Sequence, residues 1–199
     1  MVVTAHQPNY LPGVSVIKKI AEADMLLWLH DVQYTKGGFV NRNRLPSGKW
    51  LTVPINKSTD SYPINKVKIA ANVNWVERHI ALITEHYGKS QIASELFAAL
   101  ERTSTQRLVD VNYACYTLIA GHLGLETRRA PCDIADLTGN ISEKLAVAVG
   151  SVGGSVYLSG QSGERYLDET PFTERGIKVK YHRHDGPNPS SIDLMLKPC

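Results

Sequence analysis

Residues 1–34 carry the pattern that most restricts the fold: a strand, a polar loop, a short helix and a second strand. The stretch MVVTAHQ (1–7) is rich in β-branched residues and predicts a buried strand that ends at Pro8. Apolar residues then recur at helical spacing in GVSVIKKIAEAD (13–24), and MLLWLHDVQ (25–33) predicts a second buried strand. Two strands joined through a helix pair in parallel with a right-handed crossover, so the sequence predicts an α/β fold.

The remaining pattern extends this unit into a larger sheet. Further strands are predicted in KWLTVPI (49–55), VKIA (67–70), TRRAPCDI (127–134), SVYLSG (155–160) and IKVKYHR (177–183). Helices are predicted in NWVERHIALITEHYG (74–88), from about 106 to 123, and in SEKLAVAVGSVG (142–153) with Ser142 as its N-cap. A loop is predicted over 35–48, and turns are predicted from His184 onward. We expect one α/β domain over 1–199, a Rossmann-like, mostly parallel sheet flanked by helices, with a helical insertion or subdomain at about 72–124.

Composition restricts the class of protein. Apolar residues make up 43% of the 199 residues, which is enough for a proper core. The longest apolar runs, such as MLLWL (25–29), are far shorter than the ~20 residues of a membrane span, and the N-terminus lacks the pattern of a secretory signal. We therefore expect a cytoplasmic protein. Its net charge of +3 suits a small anionic ligand and falls short of a dedicated nucleic-acid binder.

Polar side chains follow each of the first two predicted strands, in HQPNY (6–10) and HDVQY (30–34). Ligands of parallel α/β sheets bind at the carboxyl ends of the strands, so we expect these clusters to lie side by side at a site. His6 is suited to general acid–base work near neutral pH, and Gln7 and Asn9 can both donate and accept hydrogen bonds. In the alternative interpretation, these side chains only satisfy the backbone of the loop.

Asp31 is the expected second member of the site. Its carboxylate could fix the tautomer of His6 or hold a metal ion with a bound phosphate. Structural alternatives are a cap on a turn, or an ion pair with Arg42 or Arg44.

The stretch NRNR (41–44) places two guanidinium groups and two carboxamides in a short segment. Arginine binds phosphate or carboxylate in a two-pronged geometry, so this segment predicts an anion site. If the segment is extended, Arg42 and Arg44 share one face and Asn41 and Asn43 the other.

Other motifs indicate less. Ser159 and its neighbouring glycines could form a nest of amides for an anion, but the P-loop and GxSxG patterns are absent. His79, His86 and His122 fit helical positions, and a metal pair at His182 and His184 is a minor alternative. Cys115, Cys132 and Cys199 are scattered without CxxC spacing, so we predict neither a zinc site nor a redox pair.

Several of these stretches resemble the WbqC-like family of bacterial proteins. The resemblance rests on HQPNYLP, DVQY followed by F-NRNR, LTVPI, the spaced Trp75, His79 and Tyr87, YLSG with YLD, and SIDLM near the end. Family members occur in gene clusters for O-antigen and other surface polysaccharides. The resemblance implies transfer of glycine or another acyl group to a sugar. The site residues that it implies are His6, Gln7, Asn9, Tyr10, Asp31, Gln33, Tyr34, Asn41, Arg42, Asn43 and Arg44.

This chain also departs from the family pattern at three places. His30 stands where the pattern has the first of two acids, Gly13 and Val14 replace an aromatic-containing segment, and the end is shortened to NPSSIDLMLKPC.

The leading hypothesis, which the resemblance implies, is an acyl or aminoacyl (glycyl-type) transferase that acts on an activated sugar or related metabolite in surface polysaccharide biosynthesis. His6 would be the base and Asp31 its orienting partner, while Arg42 and Arg44 clamp an anionic group of the substrate. The donor could be ATP-activated or nucleotide-activated, and the small-molecule partner could be a nucleotide-sugar. Two alternatives stay open: a noncatalytic module that binds a nucleotide or sugar phosphate, and a transferase that modifies a nucleic acid or nucleotide.

Overall fold

The structure is a computed structural model that describes residues 1–71 and 73–196. Its strands are β1 (Val2–His6), β2 (Met25–Leu29), β3 (Arg42–Arg44), β4 (Trp50–Thr52), β5 (Arg128–Cys132), β6 (Val156–Gly160) and β7 (Lys178–His182). Its α-helices are α1 (Val14–Ala21), α2 (Trp75–Tyr87), α3 (Gln91–Thr103), α4 (Leu108–His122), α5 (Ile141–Ser151), α6 (Thr170–Thr173) and α7 (Ile192–Met195).

The chain divides into two compact units, each assembled from separate stretches. The first unit contains residues 1–7, 15–32 and 126–187, and the second contains 8–14, 33–125 and the stretch from Asn188 onward. Helices α2 to α4 belong to the second unit. One domain with a helical subdomain at about 72–124 therefore stays a prediction.

The first unit is built on a five-stranded sheet in the order β5-β2-β1-β6-β7. All four neighbouring pairs are parallel, and β1 pairs with β2 so that His6 is level with Trp28. This confirms the predicted α/β fold with a mostly parallel sheet and the predicted parallel pair at the N-terminus. Val3 and Ala5 of β1 face a core that includes Leu145 and Val149 of α5.

The N-cap of α5 differs from the prediction. Asn140, not Ser142, caps the helix: its side-chain oxygen accepts from the backbone N–H groups of Ser142 and Glu143, at 2.9 and 3.1 Å. Glu143 completes the capping box because its carboxylate accepts from the backbone N–H of Asn140. Asparagine is among the strongest N-cap residues, and Ser142 is instead buried in the first turn.

The second unit contains an antiparallel hairpin of β3 and β4 and the helices α2 to α4. The prediction of a loop over 35–48 is therefore wrong at residues 42–44, because Arg42–Arg44 pair with Trp50–Thr52. The predicted strand VKIA forms isolated bridges only, from Ile69 to Ile55 and from Lys68 to Arg107. Helix α7 lies in the tail that was predicted to be rich in turns. Cys199 and the last residues of that tail lie outside the described residues.

Across residues 1–71 and 73–196, no helix combines the length and the apolar character that crossing a bilayer requires.

Candidate functional site

His6 is the last residue of β1, and its imidazole is partly buried in the first unit. Loss of water around the ring holds the pKa of His6 well below its ordinary value of 6.5, and the nearby Lys19 ammonium lowers it further. The imidazole is therefore neutral at neutral pH. A neutral imidazole can accept a proton, which is the state that a general base needs.

Lys19 is a member of this site that the sequence patterns missed. It lies in the last turn of α1 and is only 4% exposed, whereas its neighbour Lys18 is exposed. Its Nζ donates to the backbone carbonyl of Ala5 at 3.0 Å, directly before His6. Burial lowers the pKa of Lys19 from 10.5 to about 8. The signal available in the sequence was a second lysine next to the apolar stripe of a short helix.

Asp31 follows β2 and is buried. Its Oδ2 accepts from the backbone N–H groups of Ile134 at 2.6 Å and Ala135 at 2.5 Å, so Asp31 caps the turn that follows β5. Its Oδ1 is also buried and has no hydrogen-bond partner within the described part of the chain. One oxygen thus has the structural role that the alternative interpretation expected, and the other has no hydrogen-bond partner among the described residues.

His30 precedes Asp31 and contacts the same turn. Its Nε2 lies 3.0 Å from Oδ1 of Asp133, which directly follows β5. His30, which replaces the first acid of the family pattern, therefore lies beside the acid that follows the neighbouring strand β5.

Ser159 lies away from His6, although β6 is the neighbour of β1. Residues alternate faces along a strand, and Ser159 shares its face with Tyr157, which packs in the core beneath α5. A Cβ on Gly163 would collide with Oγ of Ser159, so Ser159 and Gly163 are closely packed. The fold accounts for Ser159 as a packing residue, and its anion-binding role stays a prediction.

In the second unit, Tyr10 is fully buried. Its hydroxyl lies 2.9 Å from Nδ1 of His79, and the two rings lie 5.6 Å apart. Burial raises the pKa of Tyr10 and lowers the pKa of His79 to about 4. A neutral, tightly packed pair of this kind anchors the loop that follows β1.

The same loop is held by side chains that donate to its backbone. Leu11 has the unusual positive φ of 43°, and its carbonyl accepts from Nδ2 of Asn43 and from Oγ of Ser190, the latter at 3.1 Å. Nδ2 of Asn112 donates to the carbonyl of Pro8 at 2.8 Å. These bonds hold Leu11 in a conformation that costs free energy and that persists only where the surroundings enforce it.

The carboxamides of the NRNR segment face the interior of the second unit. Asn41 accepts from the Tyr34 hydroxyl at 2.9 Å and donates to the carbonyl of Val53 at 2.9 Å, and Asn43 is buried. The side chains of Asn41 and Asn43 thus lie on the face opposite Arg42 and Arg44, as predicted for an extended segment.

The guanidinium groups of the same segment share the other face with two aromatic rings. Those of Arg42 and Arg44 lie 4.3 and 5.8 Å from the ring centre of Trp50. The Phe39 ring lies 6.3 Å from Trp50, and these aromatic residues are 52% and 39% exposed. We call Phe39, Arg42, Arg44 and Trp50 the cationic-aromatic patch. Such a patch can bind anionic groups and stack against planar ones.

The remaining predicted residues divide between the two units. Gln7 is partly exposed at the end of the first stretch of the first unit, and Asn9 is buried in the second unit. Gln33 is exposed and donates to the carbonyl of Ser61 at 2.7 Å. Tyr34 is buried, and burial raises its pKa. Within the described residues, no three His, Cys, Asp or Glu side chains lie together so that they could share a metal ion.

These features can now be compared with known proteins. The sequence pattern of the WbqC-like protein family matches residues 7–190. The chain belongs to this family. It is also similar to the uncharacterized protein Rv1507c of Mycobacterium tuberculosis (strain ATCC 25618 / H37Rv), with 27% identity over 187 residues that cover 90% of this chain and 81% of that protein. No solved structure matches the chain.

Membership of the WbqC-like family confirms the resemblance that the short motifs indicated. The match also includes Lys19 and His182, which the motif comparison did not use.

Proposed function

We propose that this WbqC-like protein is an acyl or aminoacyl transferase that moves a glycyl-type group onto an activated sugar or a related metabolite in surface polysaccharide biosynthesis. The observation that supports this most directly is His6, a neutral imidazole at the carboxyl end of a central parallel strand with a buried lysine beside it. Ligands of such sheets bind at this edge.

In the proposed reaction, His6 takes a proton from the amine or hydroxyl of the acceptor. The acceptor N or O forms a bond to the acyl carbon of a thioester or ester donor, and the bond from that carbon to the leaving sulfur or oxygen breaks. The leaving group receives a proton, so that atoms and charge balance. Asp31 supports this chemistry through its unpartnered Oδ1, which can orient a polar group of the substrate.

The test is a transfer assay on the intact protein. Purified protein is incubated with glycyl-N-acetylcysteamine thioester, or with glycine and ATP, together with a panel of nucleotide-sugars. Mass spectrometry then looks for a sugar product that carries one glycyl group. We expect this product with the wild type and a loss of about 100-fold or more in His6→Gln. His184→Gln is the matched control, because His184 lies on an exterior turn where its Nε2 contacts the carbonyl of Pro187 at 2.9 Å. Equal turnover in His6→Gln would remove the proposed base.

A second candidate, a noncatalytic nucleotide or sugar-phosphate module, is favoured by the cationic-aromatic patch. Two guanidinium groups beside an exposed tryptophan supply both anion binding and stacking. Trp28 and Trp75 are each 4% exposed, so quenching of tryptophan fluorescence by UDP would report on Trp50. Saturable quenching that Trp50→Phe abolishes, without any product in the transfer assay, would favour the module.

A further inference from the structure

His182 and Glu22 form a histidine–carboxylate pair in the first unit. Nδ1 of His182 lies 3.0 Å from Oε1 of Glu22, which directly follows α1. His182 is 7% exposed, and its Nε2 is buried with no hydrogen-bond partner in the part of the chain that the structure describes. A buried ring nitrogen without a partner is costly unless a ligand uses it.

The order of the strands places His182 and His6 at the same end of the sheet. His182 pairs with Gly160 across β6 and β7, and Val3 pairs with Tyr157 across β1 and β6. His6 and Gly160 each lie three residues beyond the pair Val3 and Tyr157 on their strands. Residues alternate faces along a strand, so His6, Gly160 and His182 lie on one face at the same end of the sheet.

The position between the two histidines is open. Gly160 has no side chain, and a Cβ built there would meet no heavy atom within 4 Å. The same face receives Lys19, whose Nζ reaches the carbonyl of Ala5. Two imidazoles, an ammonium and a carboxylate therefore lie at the end of the sheet where the space beside Gly160 is open.

We propose that His182, oriented by Glu22, is a second proton-transfer residue and acts across Gly160 from His6 on a small acyl group. This inference rests on the proposed function, because it assigns the other half of the same reaction.

The different roles of His6 and His182 follow from the groups around the two rings. Burial and the nearby Lys19 hold the pKa of His6 low, so its neutral imidazole accepts the proton of the acceptor. Glu22 orients His182 through Nδ1, so that the Nε2–H of His182 donates its proton to the leaving sulfur or oxygen as the bond to the acyl carbon breaks. After the transfer, His6 loses its proton to solvent and His182 regains one. Other charged groups on this face include Lys19 of α1, Arg129 of β5, and Lys178 and Lys180 of β7.

The first test compares steady-state constants in the glycyl-transfer assay. We expect His182→Gln to lower kcat by about 100-fold with little change in KM, as for loss of a general acid. Glu22→Ala should lower kcat by a smaller factor, and Glu22→Asp should recover part of the loss. If the pair only ties α1 to β7, these variants will reduce thermal stability while the folded protein keeps its kcat, and the proposal is wrong.

The second test does not depend on turnover, so it separates this inference from the proposed function. Histidine side-chain NMR of the wild type is recorded with and without the glycyl thioester as a probe. We expect the probe to shift the resonances of both His6 and His182, and Gly160→Leu to abolish both shifts. Shifts at both histidines without product would support the site while contradicting the transferase. A probe that leaves both resonances unchanged would overturn the site.

Discussion

At the scale of single residues, Lys19 is the least expected feature of the chain. A buried ammonium is stable only where other interactions compensate for its lost hydration, and the carbonyl of Ala5 is a single neutral acceptor. The residue therefore lowers the stability of the fold. Its effect on the charge of His6 gives a functional reason for keeping it there.

We predict that Lys19→Met stabilises the protein at neutral pH. The pKa of Lys19 is 10.5 when unfolded and about 8 when folded. Below about pH 8 the lysine is charged in both states, so burial of the charge lowers the free energy of unfolding by its full amount. The difference between the two pKa values corresponds to roughly 3 kcal/mol at most. Between about pH 8 and 10.5 the unfolded state holds more protons, so the wild type regains this stability as the pH rises.

Urea denaturation at pH 6.5 and at pH 10.5 checks this sign. The gain from Lys19→Met should be largest at the lower pH and shrink at the higher one. Lys18→Met, an adjacent exposed lysine on the same helix, should change stability little at either pH. A loss of stability in Lys19→Met at pH 6.5 would contradict the assignment.

The charge of Lys19 also affects the pH at which kcat falls on the acid side. Its positive charge lowers the pKa of His6, so Lys19→Met should raise that pKa and move the acid limb of kcat to higher pH, while burial keeps it below the ordinary value of 6.5. The pH dependence of glycyl transfer in the two proteins measures the displacement. Identical acid limbs would mean that His6 does not titrate in the reaction.

Substitutions of Asp31 can distinguish its contribution to stability from its contribution to catalysis. Two backbone N–H groups donate to its Oδ2, and a hydrogen bond to a charged acceptor contributes about 1.5–3 kcal/mol. Asp31→Ala should therefore destabilise the protein by about 3 kcal/mol or more, measured by urea denaturation. Asp31→Asn keeps one acceptor oxygen and should lose less stability. If Oδ1 also orients the substrate, Asp31→Asn will still lower kcat in the folded protein, whereas unchanged kcat would limit Asp31 to its structural task.

At the scale of elements, strand β3 presents two different faces within three residues. Asn43 points inward and donates to the carbonyl of Leu11, whereas Arg44 is exposed beside Trp50. We predict that Asn43→Ala lowers the free energy of unfolding by about 1–3 kcal/mol, because a buried carbonyl loses a donor. Arg44→Ala should change stability by less than about 0.5 kcal/mol but weaken quenching by UDP. Equal effects of the two substitutions on stability would show that the faces are not distinct.

The patterns that predicted elements well were those with a strong local signal. The β1–α1–β2 unit followed from β-branched runs and helical spacing, and the parallel pairing followed from the chirality of the crossover. Strand β3 was missed because its residues are polar on both faces and their pairing depends on a partner six residues further on. The contact between His182 and Glu22 was missed for a related reason: 160 residues separate them, and no local pattern reports such a contact.

At the scale of the whole molecule, connectivity is the dominant feature. The chain passes between the two units after residues 7, 14, 32, 125 and 187, so neither unit is a continuous segment. The candidate residues follow the same division: His6, Asp31 and His182 belong to the first unit, and Arg42 and Arg44 to the second. Contacts far apart in sequence must therefore form before either unit is complete, which favours slow folding.

This connectivity predicts that the long central segment does not fold alone. Residues 33–125 lack Tyr10, Leu11 and Ile192, which are each 0% exposed in the second unit. Losing three such side chains removes about 2–5 kcal/mol apiece, which approaches the whole stability of a typical domain. We expect a 33–125 fragment to give a poorly dispersed NMR spectrum and no cooperative thermal transition. A chain that joins 8–14, 33–125 and 188–196 through Gly/Ser linkers should recover dispersion, because it restores the missing core residues. A well-dispersed spectrum from 33–125 alone would show that the segment is an independent domain.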